Sequence, residues 1–122
     1  MQTAVNWFEI PAKDFKRAVH FYNTIFGIQM VTHEMMGFPM AFFPSDQGGV
    51  GGTVIMKEGY EPCTKGTLIY LNGGDDLSIP LSKVEKAGGK VLVPKTQITP
   101  EIGYFARFMD TEGNLVAIHS MK

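Results

Sequence analysis

Hydrophobic and polar positions change period several times along the chain, and each change marks an element. Val5-Asn-Trp-Phe-Glu-Ile10 mixes aromatic and β-branched residues and stops at Pro11, which cannot donate a ladder hydrogen bond, so it predicts a strand. Asp14 then reads as a helix N-cap. Behind it Phe15, Ala18, Val19, Tyr22, Ile25 and Phe26 recur at helical spacing, with Lys13, Lys16, Arg17, His20 and Asn23 on the other face and Gly27 as the stop. Ile28–Thr32, Met40–Phe43 and Thr53–Met56 follow as strands, and Gly48-Gly-Val-Gly-Gly52 reads as a bend before the last of them.

Residues 59–66 are polar and turn-rich, and after them the pattern restarts. Thr67–Leu71 predicts a strand, Asp75 or Asp76 a second N-cap, and Leu77, Leu81 and Val84 the apolar side of a helix ending at Gly88-Gly89. Pro80 is tolerated only because it falls near the first turn. Lys90–Val93, Tyr104–Phe108 and Leu115–His119 are the remaining strands, with Asp110-Thr-Glu-Gly113 a turn. Asp76 lies 62 positions after Asp14, as Gly89 does after Gly27, so the halves superpose at a constant offset. The fold class read from this is α+β: two βαβββ modules, about 1–58 and 67–122, joined by a linker at about 59–66, in one domain.

Composition narrows the function classes. At 122 residues one core is expected, large enough to need no structural metal or disulfide. A net charge of -1 argues against a nucleic-acid partner. The single cysteine, Cys63, rules out an intrachain disulfide and fits a reducing, cytoplasmic setting. There is no apolar run of membrane-spanning length and no signal-peptide pattern at Met1–Trp7. Cys63 has no histidine nearby in sequence and reads as an exposed thiol or, alternatively, a nucleophile. His20 and His33 read as surface residues. The glycine bend lacks the Lys-Ser/Thr that a phosphate loop requires.

Three motifs in order, Asp14-Phe-Lys-Arg-Ala-Val-His-Phe-Tyr22 with Phe26-Gly27, Val84-Glu-Lys-Ala-Gly-Gly89, and Asp110-Thr-Glu-Gly-Asn-Leu-Val116, span nearly the whole chain. Together they resemble the vicinal oxygen chelate superfamily, which includes glyoxalase I, bleomycin-resistance proteins and extradiol dioxygenases. The likeness is nearest to a small bacterial glyoxalase-like branch with a Trp-Phe-Glu-Ile-Pro first strand. It implies a curved mixed sheet around a cavity and usually a homodimer. In metal-dependent members four side chains, typically His, Glu, His and Glu, hold a divalent ion. Counting from the caps and turns puts those positions at Trp7, Met56, Thr67 and Ala117, none a usable ligand for such an ion. The resemblance therefore implies a protein that has lost the metal, with no cofactor expected.

Strand alternation applied to these positions turns Val5, Trp7 and Glu9 to the cavity, with Leu115, Ala117 and His119, and with Thr67, Ile69 and Leu71. Glu9 reads as a general base or anchor, or as a rim residue paired with a nearby cation. His119 reads as a proton donor or pocket wall, or as a sheet-end histidine bonded to a carbonyl. Trp7 and Met56 suit a planar ligand or plain core, and Arg107 joins them if its strand register allows. Two functions are expected to compete. One is binding of a small hydrophobic or aromatic molecule without metal. The other is a glyoxalase-type lyase or isomerase using Glu9 and His119 or a non-standard metal site.

Overall fold

Strand-forming segments on each side of the linker pair among themselves, giving two four-stranded sheets. The computed structural model describes residues 3–35 and 37–122. The first sheet holds β1 (Trp7–Pro11), β2 (Val31–Met35), β3 (Phe38–Phe42) and β4 (Gly51–Ile55), in the order β1-β4-β3-β2, with helix α1 (Phe15–Phe26) between β1 and β2. The second holds β5 (Tyr70–Asn72), β6 (Lys90–Thr99), β7 (Gly103–Met109) and β8 (Leu115–Ser120), in the order β5-β8-β7-β6, with helix α2 (Ser78–Leu81) after β5. In each sheet the first and last strands run parallel and the other pairs antiparallel. The expected βαβββ order therefore occurs twice.

Local chemistry explains where the elements begin and stop. The Asp14 carboxylate accepts the Arg17 N–H at 3.1 Å, and Gly27 takes the left-handed conformation (φ 62°) while its N–H bonds back to the Asn23 carbonyl. Asn23 also takes the Met30 N–H on its side-chain oxygen at 2.9 Å, so residues 28–30, expected in a strand, belong to the helix exit and β2 starts at Val31. The second helix is shorter than its apolar spacing predicts. Past Leu81 the chain continues in tight turns, Lys83 N–H to Pro80 and Val84 N–H to Leu81, and Leu77, Pro80 and Val84 are buried all the same. By contrast β6 runs on to Thr99 through Pro94. It is an edge strand with register shifts, where a missing N–H costs no ladder bond.

The helix-side faces of both sheets share one core. Ile10, Ala41 and Val54 come from the first sheet, Leu71, Ala106, Phe108, Val116 and Ile118 from the second, and Ala18, Phe21, Tyr22 and Ile25 from α1. Phe21 does not belong to the stripe read from the sequence, yet it is fully buried, because α1 is covered on a second flank by β7: its ring lies 5.8 Å from that of Phe108.

The β7–β8 turn locks that arrangement. Asp110 accepts from the Tyr22 hydroxyl (2.7 Å), the Glu112 N–H (2.8 Å), the Asn114 N–H (2.9 Å) and the Asn114 amide (3.0 Å). Glu112 accepts the N–H groups of Lys13 and Asp14 at 2.7 and 2.6 Å and the Arg17 guanidinium at 2.7 Å. Burial, with Asp110 beside it, pushes the Tyr22 hydroxyl well above its ordinary value, so it stays a donor. Burial by itself would raise the Glu112 carboxyl, but Arg17 and the two N–H groups outweigh it and hold the carboxyl below its ordinary 4.5. A depressed folded value means that this stabilisation is complete above the unfolded value and is lost as pH falls through the folded one. Glu112→Gln should accordingly flatten the acid limb of stability against pH below about 4.5, measured by urea denaturation at stepped pH; an unchanged acid limb would contradict the assignment.

Candidate functional site

Alternation along the ladders sets which side chains leave the core. With Ile10, Val54 and Ala41 on the helix side, Trp7, Glu9, Thr53, Phe42 and Met40 project from the opposite face of the first sheet. With Leu71, Val116, Ile118, Ala106 and Phe108 on the helix side, Tyr70, Asn72, Ala117, His119, Phe105 and Arg107 project from the opposite face of the second. The ladders align these residues as counterparts. Glu9 sits opposite Thr53 and Thr53 opposite Phe42, just as Tyr70 sits opposite Ala117 and Ala117 opposite Arg107.

The four positions counted out as ligand sites fare differently. Trp7 lies on the open face, 45% exposed, its ring edge-on to Phe42 at 5.8 Å. Ala117 also lies on it, fully buried between Tyr70 and Arg107. Met56 falls one residue beyond β4, its N–H on the Pro39 carbonyl, and Thr67 is exposed ahead of β5. The alternation expected from Thr67 is reversed: Ile69 and Leu71 pack on the core, and Tyr70 and Asn72 face outward. The cause is that the ladder begins only at Tyr70, so the residues before it set no phase for the strand.

Glu9 is exposed and, among the described residues, forms no ion pair; the two salt bridges join Arg17 to Glu112 and Lys95 to Asp76. The His119 Nε2 lies 2.6 Å from the Ile102 carbonyl, which makes Nε2 the donor and leaves Nδ1 as the acceptor in the neutral ring. Glu9 and His119 stand on different sheets. His33, expected at a strand end, is inside β2 and turns its ring edge-on to Phe42 at 5.5 Å. Cys63 is exposed, and its backbone joins the linker to β8: its N–H donates to Asn114 and its carbonyl accepts from Leu115.

Among the described residues, no three His, Cys, Asp or Glu side chains come together. The four positions counted out as ligand sites, Trp7, Met56, Thr67 and Ala117, offer an indole, a thioether, a hydroxyl and a methyl, which are not a donor set for a divalent ion. Two recesses among the described residues bear on the choice of site. One, about 540 Å³, lies on the open face of the second sheet between Tyr70, Asn72, Ile98 and His119. The other, about 500 Å³, lies on the helix side between Phe8, Phe26, Phe43 and Ile79, with Asp75, Asp76 and Lys83 among its lining. In the helix-side cleft Asp76 already accepts from the Ser78 N–H and from Lys95, which hold its carboxyl near 2. The open face differs. The buried side-chain polar atoms that lack any partner among the described residues are Thr53 Oγ1, on the outward face of the first sheet, and Arg107 Nε, on that of the second. Neither Thr53 nor the Tyr70–Ile98 recess was legible in the sequence, since alternation from Thr67 gave the wrong phase and Ile98 lies beyond Pro94.

The description of the glyoxalase/bleomycin resistance protein/dioxygenase superfamily matches residues 4–118. The chain belongs to that superfamily. A glyoxylase-like domain-containing protein of Didymella fabae is 33% identical over 93% of this chain and 91% of its own. Among solved structures, a glyoxalase/bleomycin resistance protein from Albidiferax ferrireducens T118 shares the fold at a TM-score of 0.77, with 13% identity over 95% of this chain and 97% of that one. TnmS3, an antibiotic binding protein from a Streptomyces species, does so at 0.63, with 21% identity over 97% and 95%. The superfamily fold thus accounts for the paired modules, and no described helix is long and apolar enough to cross a membrane.

Proposed function

We propose that this superfamily member binds a small planar or hydrophobic molecule on its open sheet face, without the divalent ion of its metal-dependent relatives. The observation that carries this is that each sheet turns one unpartnered buried polar atom to its outward face, Thr53 Oγ1 on the first and Arg107 Nε on the second, beside aromatic rings: Trp7 and Phe42 on the first, Tyr70 and Phe105 on the second. A buried polar atom left without a partner costs about 1–3 kcal/mol, which a bound molecule or water recovers. Trp7, Phe42 and His33 offer stacking edges for a flat ligand. Trp7 and Tyr70, 45% and 47% exposed, also favour the homodimer expected of this fold, in which a second copy covers part of the face. The lyase or isomerase reading needs Glu9 and His119 to act on one substrate, and their placement on different sheets gives it less support.

Trp7 is the only tryptophan, so its fluorescence reports directly on the outward face of the first sheet, and the four tyrosines, Tyr70 among them, extend the readout to the second. Titration with a panel of planar metabolites and antibiotics should give saturable quenching or a spectral shift. The same preparation, untagged, should carry no stoichiometric metal by elemental analysis. A panel without a single saturable response, or one equivalent of bound zinc, nickel, iron or manganese, would overturn the proposal.

A further inference from the structure

Of the two unpartnered atoms on the outward sheet faces, the one on the second sheet belongs to a permanent cation. We infer that the ligand carries an oxyanion, specifically a planar carboxylate, and that Arg107 is the residue that recognises it. The inference rests on the binding reading above and adds the ligand's charge and its anchor.

Arg107 stays charged at any physiological pH and carries five donors in a rigid fork that matches a carboxylate. Among the described residues no carboxylate pairs with it, and its Nε is buried without a partner. Its guanidinium carbon lies 5.4 Å from the centre of the Phe105 ring. Such a cation–π contact holds the plane of the group and leaves its edge, where the donors are, for another molecule. In the ladder Arg107 faces Ala117, whose methyl fills little space, and the next residue on that face of β8 is His119, on the wall of the 540 Å³ recess. Diagonal neighbours of this kind are about 7–8 Å apart, within the reach of an arginine. Tyr70 and Ile98 form the apolar wall of that recess, and Arg107, outside its lining, stands beyond Ala117 on the same face, where an acid group at the recess edge would meet the fork. Glu9, the carboxylate named on the outward face of the first sheet, is on the other sheet and solvent-exposed, where its repulsion is screened.

The test compares 2-naphthoate with its uncharged isostere 2-naphthamide by calorimetric titration and backbone NMR, on the wild-type protein and on Arg107→Met and Arg107→Lys. Wild type should bind the carboxylate about 10-fold or more tightly than the amide, a margin set by charge-assisted hydrogen bonds. Arg107→Met should abolish the preference, and Arg107→Lys, a cation without the fork, should restore only part of it. Amide shifts should centre on Tyr70, Ile98 and His119. Because the guanidinium has no partner, Arg107→Met should melt at or above the wild-type temperature, which separates lost recognition from lost folding. Equal binding of the two probes would overturn the inference and leave the binding reading standing. Shifts centred on Phe26 and Ile79 would overturn it by placing the ligand in the helix-side cleft, and binding of neither probe would overturn both.

Discussion

Asp110→Ala is expected to destabilise the protein by about 3–5 kcal/mol, because one buried carboxylate serves four donors and its removal leaves all of them unpaired in the core. The fall in melting temperature should be roughly 10–20 °C for a domain of this size. The donors come from α1, from the turn and from the start of β8, so the loss spreads beyond the turn. Asp110→Asn separates the contributions. Its remaining carbonyl can still serve the Glu112 and Asn114 N–H groups, while its new amide can donate to the Tyr22 hydroxyl oxygen, leaving that O–H without its acceptor, and opposes the Asn114 amide, a donor it cannot accept, for a cost of about 1–3 kcal/mol. Urea denaturation of the two variants decides it. A loss below about 1 kcal/mol for Asp110→Ala would mean that water replaces the carboxylate and that the turn is not buried as the structure has it.

That turn illustrates what could be read from residues in order and what could not. Asp110-Thr-Glu-Gly113 was legible as a turn because its chemistry is local. Its contacts with Lys13, Asp14 and Arg17, almost a hundred positions away, depend on how the two modules dock, and no local pattern encodes that. The same division holds elsewhere. Asp14 and Gly27 bounded α1 because caps act within a few residues. The α+β class and the doubled βαβββ order followed from element succession and the 62-residue offset. Phe21 was missed because a single apolar stripe assumes one covered flank, whereas α1 has two. Trp7, Glu9, Ala117 and His119 were turned outward by alternation along their strands, whereas Arg107 was left to the register of its strand, which the β7–β8 ladder supplies. Tyr70 and Thr53 were not. The first stands in a ladder of three residues, too short to carry a phase, and the second is a plain β-former until its burial without a partner is seen.

Gly52 shows how narrow the fit behind the open face is. An added Cβ there would come 2.3 Å from the Phe8 ring, so β4 can pass Phe8 only because this residue has no side chain. In the sequence it was one of four glycines in a presumed bend; in the structure Gly51 and Gly52 are strand residues paired with Trp7 and Phe8. The close approach packs Phe8 against the core and so leaves Trp7 and Glu9, its neighbours, on the outward side.

The two modules are held together on their helix sides unequally, and Phe21→Ala should expose the difference. Phe21 is fully buried against Tyr22 and Phe108, at centroid distances of 4.9 and 5.8 Å, and approaches Gly89 so closely that a Cβ at that glycine would come 2.8 Å from its ring. The residue 62 positions on, where the second module would supply an equivalent ring, is Lys83, and there the helix-side cleft of about 500 Å³ remains open. One aromatic side chain thus closes a junction that its counterpart leaves unfilled. Truncating it should cost about 3–5 kcal/mol, the range for a large aromatic removed from a packed site. Phe21→Leu, which keeps most of the volume, should cost less than about 2 kcal/mol. Gly89→Ala should also destabilise, since the new methyl meets both the Phe21 ring and, at 2.7 Å, the Met109 carbonyl. Trp7 fluorescence follows the first module and far-ultraviolet circular dichroism follows both, so their denaturation curves should coincide in wild type. A cost for Phe21→Ala no larger than that for Phe21→Leu would show that the junction collapses onto the gap, and that the two halves are joined mainly by the Asp110 and Glu112 turn.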